Sequence, residues 1–289
     1  MSDALSAYLQ HVSAALHGRK AVEIAALISL PHTAFTAEHR ALATQVRANP
    51  DIARTCYKSL QVDQPLAEAV SGRLACLAAL VRGEHDTAYK VIHQAFNCLL
   101  EFMGANTEFP FLAGVLARLA SDLRVVAALA DASKADRERL SSPSLRECQN
   151  SITRGFTLIA KDRLPITDPA CKKRHLFSIT NTLFKIYFRL NTLQLMGKLI
   201  KLVDTPSVMA SLKSFPLCDV VMYKFYVGRL NMFEDRLEDA RDCLRFALRY
   251  TPMSQVHNRQ LILASLVPIE MCQGIMPTAA LGHKYGLQT

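Results

Sequence analysis

YKFYVGRLNMFEDRLEDARDCLRFALRYTP, residues 223–252, places Gly228, Ala240, Ala247 and Pro252 at separations of 12, 7 and 5 positions. That is the spacing of the small residues and closing proline in a tetratricopeptide-type helix–turn–helix unit. The spacing has a physical basis: Gly228 and Ala240 let two antiparallel helices approach closely, Ala247 seats the second helix on its neighbour, and Pro252 stops it. Lys224 stands where such a unit usually carries a large aromatic, and Asn231 where it often carries Tyr, so the repeat is degenerate. Units of this kind bind partners and do not transform them.

Outward from this stretch the chain reads as helices throughout. Residues 4–17 carry apolar side chains at Leu5, Tyr8, Leu9, Val12 and Leu16 and end at Gly18; a second helix over 21–29 is stopped by Pro31. Pro50 and Pro65 punctuate the next region. Residues 67–81 and 87–103 form an antiparallel pair around RGEHD, with Gly83 ending the first helix and Asp86 expected to cap the second. A largely buried helix follows over 111–132. SKADRERLSSPS (133–144) is polar and charged and reads as a linker, dividing an N-terminal helical-repeat region, 1–140, from a second one, 145–289. The second region opens with a helix over 145–160 and the irregular KDRLPITDPACKKR (161–174). A hairpin of helices 175–190 and 193–203 turns at Asn191 and Thr192, and beyond the repeat Pro268 is expected to kink or break a helix over 258–273. Hairpins at roughly forty-residue spacing predict an all-α fold, a right-handed α-solenoid of tetratricopeptide-like hairpins. A solenoid needs a polar face on its last repeat, yet residues 262–275 are strongly apolar, so another subunit or a following domain is expected to pack there.

At 289 residues and 50% hydrophobic content, the chain can bury one large core or two ordinary ones. Residues 1–144 hold 14 basic and 14 acidic side chains, residues 145–289 hold 20 and 11, so the whole net charge of +9 lies in the second half. Such a half suits an acidic partner, either nucleic acid or an acidic protein segment. The N-terminus MSDALSAYLQHV has no basic region followed by an apolar core, so no secretory signal is expected. The apolar run 111–130 is interrupted by Arg118, Asp122 and Arg124, which argues against a membrane span. Eight scattered cysteines lack zinc spacing, and most sit beside apolar residues, as buried free thiols of a reducing compartment do.

Further motifs carry a family resemblance. LFKIYF (183–188), YKFYVGR (223–229), NRQLIL (258–263), LVPIEM (266–271) and GIMPT (274–278) stand in the order and spacing of the PCI domain-containing protein 2 family. Weaker similarity reaches forward through SDLRVVAALAD (121–131), HDTAYK (85–90) and SAYLQHV (6–12). That family includes the PCI subunit of the nuclear transcription-and-export complex and the signalosome subunit 12-like proteins. The resemblance implies a non-enzymatic scaffold in the nucleus, associated with the nuclear pore, with the cytoplasm as a second location. It also implies a helical-repeat region that continues in family members into a winged helix, and this chain ends at Thr289, where that subdomain is expected to begin. Its implied partners are a large PCI-containing scaffold subunit, a small acidic disordered protein of the proteasome-lid type, and RNA or DNA through the basic C-terminal half. A signalosome-associated or splicing-linked PCI subunit is the alternative that the shared motifs leave open.

Two basic clusters are the candidate contacts. Arg241, Arg245 and Arg249 recur at i, i+4 steps and form a stripe along one helix, with Asp235, Glu238, Asp239 and Asp242 near enough to neutralise part of it. The stripe is either a seat for carboxylates or phosphates or a solvated face. Lys172, Lys173 and Arg174, with Lys161 and Arg163 upstream, form a compact loop cluster suited to phosphate contact or to nuclear import. Phe184, Tyr187, Phe188, Tyr223, Phe225, Tyr226, Phe233 and Phe246 recur at helical spacing and are expected in the core. Cys171 and His175 stand four apart without a third orienting group, so a Cys-dependent enzyme is only a remote alternative. With no phosphate-binding glycine loop, zinc motif or nucleophile elbow, no catalytic residue, cofactor or metal is assigned.

Overall fold

The computed structural model describes residues 4–31, 34–106, 108–134, 141–278, 282 and 284–285. The regular elements among them are α1 (Ala4–His17), α2 (Ala21–Ile28), α3 (Ala37–Ala48), α4 (Ile52–Leu60), α5 (Gln64–Val81), α6 (His85–Ala105) and α7 (Leu112–Ala132). They continue as α8 (Pro143–Ala160), α9 (Leu176–Leu190), α10 (Gln194–Val203), α11 (Pro206–Ala210), α12 (Leu217–Phe233), α13 (Leu237–Tyr250) and α14 (Val256–Cys272). Short 3₁₀ turns occupy Lys172–His175 and Leu212–Ser214, and no strand occurs among the described residues. The chain is all-α, with helices packed in adjacent pairs as in an α-solenoid, and it falls into two compact units, Met1–Ile186 and Tyr187–Thr289. No described helix is long and apolar enough to cross a membrane.

One turn recurs between paired helices. Arg19, Gly83, Asn191 and Asp235 take positive φ values of 51°, 76°, 53° and 57°. At each, the residue's own N–H bonds the carbonyl three positions back, and the next N–H reaches five back: Lys20 to Ala15, Glu84 to Ala79, Thr192 to Tyr187, Arg236 to Asn231. This Schellman closure satisfies the last carbonyls of the first helix and reverses the chain. Counted from the left-handed residue, the positions seven before and five after are buried in all four cases. They are Val12 and Ile24, Cys76 and Ala88, Phe184 and Met196, and Gly228 and Ala240. The 12-residue spacing of Gly228 and Ala240 thus belongs to four turns, and small residues are one way of filling it.

In the second unit the fit is tight. A Cβ on Gly228 would stand 2.8 Å from Leu244 Cγ and 3.2 Å from the Ala240 carbonyl oxygen. Ala240, Leu244 and Ala247 of α13 are fully buried and form one core with Ile262, Leu266 and Ile269 of α14. Asn231, in the place of the usual Tyr, is buried, and its side-chain oxygen accepts from Arg236 Nη2 at 2.6 Å, which braces the turn. The first unit repeats the close approach, since a Cβ on Gly72 of α5 would meet the Ala95 Cβ of α6 at 2.7 Å.

The polar segment expected to divide the chain is bridged. Asp131 at the end of α7 accepts from the backbone N–H groups of Ser144 and Leu145, both at 3.0 Å, and so caps α8, which then packs on α6 and α7. The compact units part instead between Ile186 and Tyr187, inside α9; residues 135–140 of the segment lie outside the described residues. Helices α3 and α4 form where proline punctuation alone was legible, capped by Thr36 on His39 N–H and by Asp51 on Arg54 N–H. Asp86 does not cap α6: Glu84 holds the cap position, and Asp86 lies in the first turn, 3.8 Å from Lys134 Nζ. Helix α14 runs unbroken through Pro268.

Buried polar side chains hold the irregular end of α2. Tyr8 Oη donates to the Leu27 carbonyl at 3.1 Å, while Arg73 donates to those of Ile28 (3.1 Å) and Ser29 (2.9 Å). Leu30 N–H donates to the buried Asp122 carboxylate at 2.8 Å. The aromatic cluster divides by depth: Phe184, Tyr187 and Tyr223 are buried, Phe188, Phe225, Tyr226 and Phe246 half-buried, and Phe233 is 56% exposed.

Gly228→Ala is expected to destabilise the protein by about 1–3 kcal/mol through overpacking. Phe184→Ala should destabilise it by about 3–5 kcal/mol and the half-buried Phe188→Ala by clearly less. Urea denaturation measures all three, and equal losses at 184 and 188 would contradict the burial.

Candidate functional site

The loop after α8 is shaped by two aspartates. Asp162 accepts from Leu164 N–H at 3.1 Å through one oxygen and from Lys172 N–H at 2.6 Å through the other, and Asp168 accepts from Ala170 N–H at 2.8 Å. Cys171 Sγ donates to the Leu164 carbonyl at 3.3 Å. The loop so folded brings Lys161, Arg163 and Lys172 to the rim of one groove, joined by Arg154 of α8, with the apolar side chains of Met103, Pro110, Leu158 and Leu164 also in its lining. Glu108 and Asp162 are the carboxylates of this lining, and Asp162 is engaged with backbone N–H groups. The groove therefore offers excess positive charge beside apolar surface, a setting for a carboxylate-rich or phosphate-bearing chain. Lys173 and Arg174 continue on the same 3₁₀ turn but do not line the groove. Arg154 was missed from sequence; its spacing of two helical turns before Lys161 was the available signal.

The arginine stripe is largely engaged within its own unit. Arg241 Nη1 donates to Gln273 Oε1 at 2.7 Å, and Arg245 donates to Glu270 Oε1 through Nε and Nη2, both at 2.7 Å. The stripe thus clamps the C-terminal end of α14 on α13, and its strongest acidic partner is a residue of the next helix rather than the nearby aspartates. Asp242 lies 3.9 Å from Arg241. Arg249 is exposed, its guanidinium 5.7 Å from the Tyr250 ring. Arg259, within the NRQLIL motif, donates to the carbonyls of Leu248 (2.9 Å) and Thr251 (2.7 Å) and closes α13. The outer side of α14 exposes Leu261, Ala264, Pro268 and Met271, and Ile275 and Met276 beyond it are also exposed. This second apolar stripe lies opposite the one buried on α13.

Cys171 and His175 do not make a nucleophile and base. Burial pushes the Cys171 thiol up, away from the thiolate that nucleophilic attack requires. The His175 ring lies against Gly114, where a Cβ would come within 3.0 Å of Cε1, and desolvation lowers its pKa. Burial also raises Cys56 and Cys76 to about 12 and Cys98 to about 11. A second constellation was not legible in sequence: His93 Nε2 lies 2.7 Å from Ser151 Oγ, with His93 Nδ1 3.7 Å from Glu147 Oε1 and Tyr89 donating to Glu147 at 2.8 Å. This order resembles a hydrolytic triad, but Ser151 is buried in the middle of α8, where neighbouring N–H groups are held by the helix and none is left for an oxyanion. It ties α6 to α8. No group of three or more metal-ligating side chains is assembled among the described residues.

Desolvation lowers the pKa of both His93 and His175. For a His depressed in the fold, the unfolded chain takes up the proton first, so this stability is complete above about pH 6.5 and is lost as pH falls through the lower folded value. The melting temperature should therefore fall between pH 7.5 and 5, by a smaller margin in His175→Gln; an undiminished margin would show that this ring is not held neutral.

No protein-family model matches the sequence. A PCI domain-containing protein 2 of Danio rerio is 29% identical over 284 residues, 98% of this chain and 68% of the relative. The PCI domain-containing protein 2 homolog of Dictyostelium discoideum is 29% identical over 255 residues, 84% of this chain and 56% of the relative. A CSN12 homolog of Neurospora crassa is 31% identical over 137 residues, 47% of this chain and 30% of the relative. The chain thus spans between about half and two thirds of the PCI domain-containing protein 2 relatives it matches. Similarity running through nearly the whole sequence, on an all-helical chain of paired helices, supports the PCI domain-containing protein 2 family.

Proposed function

We propose that this chain is a non-enzymatic scaffold subunit of a nuclear assembly that couples transcription to messenger-RNA export at the nuclear pore. The observation that carries the proposal is the groove rimmed by Arg154, Lys161, Arg163 and Lys172, in which one of the two lining carboxylates is already engaged by the loop backbone. An acidic, disordered partner lies along this groove, its carboxylates meeting the rim and its apolar side chains the floor. RNA phosphates meet the same cations where nucleic acid is bound. The exposed stripe Leu261, Ala264, Pro268 and Met271 seats the next domain or the large PCI-containing subunit. The mechanism is presentation of surface, and it needs no cofactor.

The similarity to a CSN12 homolog favours a second reading, a signalosome-associated subunit. Purification of the tagged protein from its own cells, with mass spectrometry of what accompanies it, separates the two. A large PCI-containing subunit with a small acidic protein is expected; signalosome subunits instead would select the second reading, and neither set would overturn both. Reversal of Lys161, Arg163 and Lys172 to Glu should weaken the acidic partner by about tenfold or more. If the groove also holds phosphates, the slope of log affinity for oligouridine against log salt should drop by about 2. Unchanged affinity for both would remove the groove from the account.

A further inference from the structure

A different groove in the first unit has no part in the preceding proposal. Its lining includes Leu16, Arg19, Tyr57, Lys58, Phe109 and Phe111. The floor is apolar and aromatic. Leu16 is buried, Phe109 is packed 5.2 Å from Phe102 and 6.0 Å, edge-on, from Phe111, and Tyr57 is 52% exposed. The rim is cationic: Arg19 and Lys58 are exposed, and among the described residues neither is in an ion pair. Asp63 is the one carboxylate of the lining.

The turn that carries Arg19 adds an independent observation. Its equivalents are Gly83, Asn191 and Asp235, residue types that enter the left-handed region readily, whereas Arg19 holds φ at 51° with a long side chain. The one turn whose left-handed residue is intrinsically unfavourable is the one that puts a guanidinium on a groove. Strain of this kind clusters where a side chain is needed for binding.

We propose that this groove docks a short linear segment of a partner protein, with an aromatic or large aliphatic anchor flanked by aspartates or glutamates. The anchor fills the floor between Tyr57 and the Phe109–Phe111 pair, and the acidic flanks meet Arg19 and Lys58. A nucleic-acid strand fits less well. Phe109 is packed against the rings of Phe102 and Phe111, and Leu16, Val62 and Leu66 share the lining, whereas base stacking requires open aromatic faces along a cationic track. The proposal uses none of the residues of the Lys172 groove and stands or falls separately from the nuclear reading.

The test is fluorescence anisotropy of the full chain with a labelled peptide, Glu-Asp-Glu-Phe-Phe-Asp-Glu-Asp, against versions with lysine flanks or a Ser-Ser centre, and against labelled ten-residue oligouridine. The acidic Phe-Phe peptide should bind at least about tenfold more tightly than either altered peptide. The pair Arg19→Gly and Lys58→Glu should weaken it by about tenfold, and Tyr57→Ser should do the same. Lys172→Glu should be silent. Arg19→Gly relieves the left-handed backbone, so its melting temperature should hold or rise, and lost binding there cannot be put down to unfolding. Failure of the acidic peptide to bind, equal binding of all three peptides, or variants that leave affinity unchanged would overturn the proposal. So would oligouridine that competes with the peptide and depends on Arg19 and Lys58, which would make the groove a nucleic-acid surface.

Discussion

Helices in this protein approach so closely that a single methyl group decides their register. At Gly228 and Gly72 a β-carbon would stand 2.8 and 2.7 Å from the facing helix. Sliding either pair along its axis would drive a larger side chain into backbone, so axial position is fixed as firmly as separation. The Schellman turn supplies the matching constraint from the chain itself. By setting where one helix stops and the next starts, it leaves buried residues at the same two positions, seven before and five after the left-handed residue, at Arg19, Gly83, Asn191 and Asp235. Once both are set, every outward-facing residue of a hairpin has a determined place, and the chemistry of the surface follows.

Polar side chains then secure the places where this regular scheme is interrupted. Arg73 and Asp122 hold the non-helical end of α2, Asp131 carries the chain across from α7 to α8, and Arg259 closes α13. Each is a charged group donating to or accepting from backbone that no helix satisfies, and such bonds are stronger than neutral ones. Asp162 belongs to the same class. By holding the loop after α8, it both shapes the groove and removes a negative charge from it, so the electrostatic character of that surface is a by-product of loop folding.

Sequence periodicity located α1, α2, α5–α10 and α12–α14 in outline, because an amphipathic helix is encoded within its own turns. Helices α3 and α4 escaped it: they are short, begin at Thr36 and Asp51 caps, and α4 buries little beyond Cys56 and Leu60. Among the candidate contacts, Lys161, Arg163 and Lys172 were legible as a cluster because they are close in sequence. Arg154 was not, since its membership depends on how α8 faces the loop. The arginine stripe was legible as a stripe, yet its partners Glu270 and Gln273 lie on a separate helix, more than twenty residues away.

By itself, the sequence determined the helical class, the hairpin register written in Gly228, Ala240 and Ala247, the basic bias of the second half and the family resemblance. All of these are properties of local pattern or of order along the chain. Only the tertiary structure decided that Asp131 bridges the polar segment, that Arg241 and Arg245 face α14, and that Arg19 and Lys58 share a groove with Tyr57 and two phenylalanines. These are long-range pairings. Whether a charge is engaged or free depends on what a distant segment brings within about 3 Å of it, and no spacing along one chain contains that information.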